Sequence, residues 1–217
     1  RPRSDRVLQE VLRRSPSAAP FVGRVVLDDW LHRFSRDELI GSYILDRTPL
    51  ERRLALQQAA HGESSDTLAL LEFLEGVLQP PSALLLFAKA QAQRDADPVA
   101  AIMTYRRAAQ VQRDRPDPDL PMQPVDIAEL GARTAWQLYR ESADHAATAC
   151  EMLAFYHDLA GTEANDELEY AYALALHATG RHTRSEALLR QICARGGPYA
   201  LAAGLELVCL LYTSPSP

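Results

Sequence analysis

Lysine is almost missing from this sequence. Lys89 stands alone, and the other 22 of the 23 basic residues are arginine, a bias that reads as coding-sequence composition rather than as phosphate recognition. Cysteine is scarce: Cys150, Cys193 and Cys209 show no CxxC spacing and none of the density of a disulfide-stapled domain. They read as free thiols buried on helices. No apolar run approaches the roughly 20 residues that a membrane-spanning helix needs. No stretch alternates apolar and polar residues at any length, which argues against strands. GxSxG, a Gly-rich phosphate loop and HExxH are all missing, and with them the catalytic and nucleotide sites most legible in a sequence. Glycines number only 10 against 14 prolines, a balance that suits helices opened by proline in the first turn.

What is present is ordinary for a folded chain, with 47% hydrophobic and 24% charged residues over 217 positions. The net charge of −6 is unevenly spread: residues 1–60 carry 11 arginines against 8 acidic residues, and the remainder carries 12 basic against 21 acidic. An acidic body argues against nucleic acid as the main partner. The basic excess at the front is too small and too interspersed for a DNA-binding arm. Since the first residue is Arg1 rather than Met, the compartment and any leader peptide stay open, leaning to the cytoplasm.

The stretch Asp166 to Cys193 is the most informative. Leu168, Ala171, Tyr172, Ala175, Leu176 and Ala178 recur at helical spacing. Asn165 caps the start, with Asp166, Glu167 and Glu169 in the first turn, where the helix dipole favours negative charge. Gly180 suits the left-handed residue that ends a helix, and Arg181 to Thr183 are expected to make the turn. Leu188, Leu189 and Ile192 give a second stripe, stopped by Gly196-Gly197-Pro198. Two helices of about a dozen residues with so short a link pack antiparallel. Such a hairpin needs neighbours of its own kind to bury its remaining faces.

This stretch resembles a tetratricopeptide repeat. Tyr172, Ala173 and Leu176 stand in the first-helix slots of that family, Gly180 at its turn, Ser185 at its small crossing position and Leu189 at the bulky one after it. Glu169 stands where the family usually has Trp, and Pro198 falls one residue late. Ala101, Tyr105 and Ala108 repeat the small–bulky–small spacing of the second helix. The crossing residues Ala101, Ala146 and Ser185 lie 45 and then 39 residues apart, against about 34 in the ideal repeat. The resemblance implies an all-α fold of antiparallel hairpins stacked as an α-solenoid over residues 65–208, preceded by an N-terminal helical segment, residues 1–64.

Taken in order, Ser4 to Arg14 reads as a short helix with Val7, Leu8, Val11 and Leu12 as its stripe. Ser15 to Pro20 reads as a linker. Phe21 to Phe34 is helical, with Val22, Val25, Val26, Trp30 and Leu31 apolar. Ser35 with Glu38, and Thr48-Pro49 with Glu51, read as capping boxes. The second opens a helix ended by Gly62. Ser64 to Leu78 is a helix stopped by Pro80-Pro81, and Ser82 caps the next. Asp114 to Pro124 is a proline-rich loop expected to interrupt the array. Asp126 opens a helix to Arg140, and Ser142 caps its partner. Tyr199 to Val208 looks like the first helix of a further copy. The tail Cys209 to Pro217, CLLYTSPSP, resembles translated sequencing-adapter read-through, and is expected not to be native.

Candidate chemistry is sparse. Asp28, Asp29 and His32 put carboxylates and an imidazole one turn apart, but a metal site needs three or four ligands, and a solvated face is the expectation. The acidic cluster around Tyr156-His157-Asp158 and Glu163 to Glu169 is expected on dipole grounds alone. His145 and Cys150 do not share a helix face. No catalytic residue, metal or cofactor is assigned. The family resemblance implies a groove lined by first helices, with Glu167, Tyr170, Leu174 and His177 facing a bound protein or peptide segment. The family's lysine-and-asparagine clamp for a terminal carboxylate is not expected, because Tyr170 and Leu174 hold the matching positions. The acidic body favours a neutral or basic partner. The other reading is a regulatory or accessory repeat region of a larger enzyme or regulator whose active part lies elsewhere.

Overall fold

The computed structural model describes residues 2–36, 40–45, 49–61 and 65–213. Glu38, Leu39, Thr48, Gly62, Ser64 and the last four residues of the tail lie outside them, so the two capping boxes are only half in view. Among the described residues the secondary structure is helical, with no strand. The chain divides into two compact units, Arg1–Gln123 and Pro124–Pro217. The division falls after the proline-rich loop.

Unit 1 holds α1 (Pro2–Arg14), α2 (Ala19–Phe34), α3 (Ile40–Leu45), α4 (Pro49–Ala59), α5 (Ser65–Val77), α6 (Ala83–Gln93) and α7 (Pro98–Asp114). Ser15 to Pro20 is not a linker: residues 16–18 form a 3-10 turn and α2 begins at Ala19, with proline in its first turn. Proline is tolerated there because the first N–H groups of a helix have no intrahelical acceptor. Ser35 closes α2, its N–H reaching the Leu31 carbonyl and its hydroxyl the His32 carbonyl. The apolar residues of α2 split between two faces. Leu27 and Trp30 are buried, whereas Phe21 and Val25 are exposed, because α2 lies along α4 through a narrow face. The approach is closest at Gly23, where an added Cβ would stand 2.5 Å from the Leu54 carbonyl oxygen.

Helices α4, α5 and α7 all pack on α6. Ser82 Oγ accepts from the Leu85 N–H, and Asp97 from the Ala100 N–H, so α6 and α7 both start on side-chain caps. The solitary lysine is spent on cohesion: Lys89 Nζ lies 2.8 Å from Glu75 Oε2, and Arg107 takes the other oxygen. Burial works against the charged form of Glu75, but Lys89 and Arg107 together hold its carboxyl below the ordinary range. Tyr105, buried against Phe87, is pushed up to about 12 by its burial.

The proline-rich loop is strapped down. Gln112, itself buried, donates from Nε2 to the Leu120 and Met122 carbonyls at 3.1 and 3.0 Å and accepts the Asp117 N–H at 2.8 Å. Asp117 accepts the Leu84 N–H at the start of α6, and Gln57 of α4 donates to the Asp119 carbonyl.

Unit 2 holds α8 (Pro124–Glu141), α9 (Ala146–Ala160), α10 (Asp166–Ala178), α11 (His182–Arg195) and α12 (Ala200–Thr213). Each helix packs on the next, and α8 also touches α10. Ser142 caps a 3-10 turn at residues 143–145 that leads into α9 rather than capping α9 itself. Asn165 Oδ1 accepts the Glu167 N–H, as a cap should. Gly180 has φ +77, the left-handed region that favours glycine. The turn is shorter than expected, since α11 already begins at His182. Ala173 and Ser185 are fully buried where α10 meets α11, and the Ser185 hydroxyl donates to the Ala173 carbonyl at 2.7 Å. Helix α12 continues through Cys209, and Leu210 is buried.

Two substitutions test these contacts. Gly23→Ala forces the Leu54 backbone away and should cost about 1–3 kcal/mol. Ala173→Leu should cost a similar roughly 1–3 kcal/mol by overpacking the α10–α11 contact. Both are read from denaturant melts. An unchanged midpoint for either would mean that its pair of helices does not approach closely.

Candidate functional site

Glu167, Tyr170, Leu174 and His177 lie along one side of α10, separated by three, four and three residues, so the helical repeat puts them in a row. All four are half-buried. Arg133 of α8 reaches Glu167 at 3.5 Å while holding Glu129 one turn back at 2.7 Å. The Tyr170 ring packs against Tyr199, centroids 5.5 Å apart. Its pKa is raised by burial first and then by the negative charge of Glu206 of α12. At the far end His177 Nδ1 stands 2.8 Å from His182 Nδ1, ring centroids 4.6 Å apart; one ring donates and the other accepts. The row therefore joins α8 at one end, α12 at its middle and the start of α11 at the other end. Arg133, Tyr199 and Glu206 were not anticipated. Arg133 was accessible through its i, i+4 partner Glu129, but Tyr199 precedes its helix, where periodicity is silent.

The residue that departs from the repeat pattern, Glu169, turns inward and is 2% exposed. A buried carboxylate needs a charged partner. Arg195, at the end of α11, binds it, and also lies 3.6 Å from Asp166. His157 Nε2 of α9 stands 3.5 Å from the other Glu169 oxygen. The acidic cluster is thus more than a decoration of the dipole: Asp166 and Glu167 stand in the first turn, and Glu169 ties three helices together. Nearby, the Tyr156 hydroxyl accepts the Asn165 N–H at 2.9 Å, holding the turn before α10.

Asp28 pairs with Arg24, and Asp29 with Arg33 and the Tyr43 hydroxyl. Among the described residues no group of three or more His, Cys, Asp or Glu side chains comes together as a metal site would require. No helix of the described residues is long and apolar enough to cross a membrane. In unit 1 a separate open cleft of about 570 Å³ lies between α4, α6 and the strapped loop, with Leu54, Phe87, Leu120 and Met122 as its apolar lining and His61 and Arg94 among its polar residues.

The charge network makes a pH prediction. Burial holds the His157 imidazole below its ordinary range; Asp158 pulls it up, and Arg184 and Arg195 push it further down. A histidine with a depressed folded pKa takes its proton more readily when unfolded, so stability is lost as pH falls below the ordinary value of 6.5. The melting temperature of the parent should therefore drop further between neutral and mildly acidic pH than that of His157→Gln. Parallel curves would remove His157 from the acid response.

No protein-family model matches the chain, and neither the curated proteins nor the solved structures include a match to it.

Proposed function

We propose that unit 2 is a tetratricopeptide-like stack of helical hairpins that binds a protein segment along the row formed by Glu167, Tyr170, Leu174 and His177. The observation that carries this reading is the meeting of alternate helices. Arg133 of α8 reaches Glu167 of α10, and Tyr199, just before α12, packs on Tyr170. Alternate helices lie side by side when hairpins stack, and their shared face is then a groove. The groove offers an amphipathic aromatic, an aliphatic side chain and an imidazole, all half-buried and so already partly ordered. Aromatic side chains of this kind are enriched at interfaces, where they bring large contact area with a polar tip.

The charges bear on the partner. Glu129 and Glu206 flank the row and Glu167 belongs to it, with Arg133 between Glu129 and Glu167. A neutral or basic segment suits this balance, and added salt should weaken its binding. The helices α6 and α7 of unit 1 repeat the same spacing at Ala101, Tyr105 and Ala108, all fully buried or nearly so, and form a hairpin of the same type. No catalytic role is proposed.

The test is to pan a displayed peptide library against the full chain and measure the affinity of recovered peptides. Tyr170→Ala and His177→Ala should each weaken binding by about 1–2 kcal/mol, with the helical circular dichroism signal retained. Full affinity in both variants, with the fold intact, would place the binding face elsewhere.

A further inference from the structure

Tyr172 lies on the opposite side of α10 from Tyr170 and Leu174, two residues being about 200° of helical turn. It is 1% exposed, and its hydroxyl is buried without a protein hydrogen-bond partner. Such a donor is costly to leave unmade, so a native structure that keeps one invites an explanation. Tyrosine is also a poor choice where packing alone is needed, since phenylalanine has the same shape without the polar atom.

Two arginines and an imidazole surround this ring. Arg184 of α11 stands over it, guanidinium carbon 5.5 Å from the centroid. The His157 ring of α9 lies 5.6 Å away. Arg181, the N-cap residue of α11, also acts on the Tyr172 hydroxyl. Its one close polar side-chain contact is the Cys150 thiol at 3.8 Å, a weak acceptor that also takes the Thr179 hydroxyl. Among the described residues no carboxylate pairs with Arg181 or Arg184. The opening turn of α11 has no acidic residue and no side-chain cap, so its first N–H groups and its dipole add to the positive field. One carboxylate opposes them: Asp158 of α9, exposed, acts on both His157 and Tyr172. This pocket of positive charge sits in a unit whose 12 acidic residues outnumber its 6 arginines, so it is not a by-product of composition.

We propose that the start of α11 is an oxyanion site, where Arg181, Arg184 and the Tyr172 hydroxyl together hold a phosphate or carboxylate group. Guanidinium groups meet such oxyanions with charge-assisted hydrogen bonds, and the phenol is a donor that the fold leaves unused. The site uses the other side of α10 from the groove, although the far end of the row also meets the start of α11, where His177 lies against His182.

The test uses the full chain and inorganic phosphate at constant ionic strength set with chloride. Calorimetric titration should show saturable binding, matched by a rise in melting temperature with phosphate concentration. Arg184→Gln should weaken binding by about tenfold. Tyr172→Phe is the sharper variant. Its melting temperature without phosphate should be unchanged or higher, because the lost hydroxyl had no partner, while phosphate affinity falls by about three- to tenfold. Acetate separates the sources of the oxyanion. A response equal to that with phosphate assigns the site to carboxylates, and preference for phosphate assigns it to phosphoryl groups; either supports the proposal. The proposal is overturned if neither anion binds, if chloride alone reproduces the stabilisation, or if Arg184→Gln binds like the parent. It is equally overturned if Tyr172→Phe lowers the melting temperature without phosphate, since the hydroxyl would then have a partner in the fold.

Discussion

Close approach of helices at small residues is the constraint on which both units depend. At Ala173 and Ser185 the side chains are short enough for a hydroxyl of α11 to reach a backbone carbonyl of α10. That distance decides what the neighbouring positions can hold. Leu168, Tyr172 and Leu176 on one helix and Leu188, Leu189 and Ile192 on the other are all buried around the contact. A full side chain at the crossing would lift the helices apart and open gaps among these larger residues, which close-packed interiors do not tolerate cheaply. Gly23 against the Leu54 carbonyl meets the same demand in unit 1, with less room still.

Charge inside the fold is a second organising element. Lys89, Glu75 and Arg107 connect α5, α6 and α7; Glu169, Arg195 and His157 connect α9, α10 and α11. Glu169 is far more buried than its partners, and Glu75 and Lys89 are buried about equally. Burying these carboxylates costs desolvation, and the cations are what make it tolerable. Such pairs add little net stability over an apolar core of the same shape. They do restrict which helix faces can meet, because a shifted register would strand the carboxylate.

Much of the fold was legible because helical periodicity, proline and glycine act locally. The hairpin from Asp166 to Arg195, its Asn165 cap and its Gly180 turn follow from neighbours a few residues apart, as do Ser82 before α6 and the burial of Ala101, Ala173 and Ser185. Two kinds of feature were not legible. Residues 16–18 read as part of a linker in the sequence because proline and serine mark breaks and helix starts alike. Glu169 and the loop at 115–123 depend on partners far along the chain, Arg195, Gln57 and Leu84, which no local pattern reveals. The site divides the same way. The row on α10 follows from spacing, whereas Tyr199, Glu206 and the arginines beside Tyr172 come together only through packing between helices.

The loop held by Gln112 has the proline-rich, polar look of a connector, and connectors are where chains accept insertions and protease cuts. Here the opposite holds. Opening residues 115–123 would strip a side-chain acceptor from the start of α6 and leave the Gln112 amide buried with nothing to bond. The segment is a working part of unit 1 in the guise of a hinge. A fusion or an inserted tag will be accepted more readily at exposed helix-to-helix turns such as Asp95-Ala96 than in this stretch that resembles a linker.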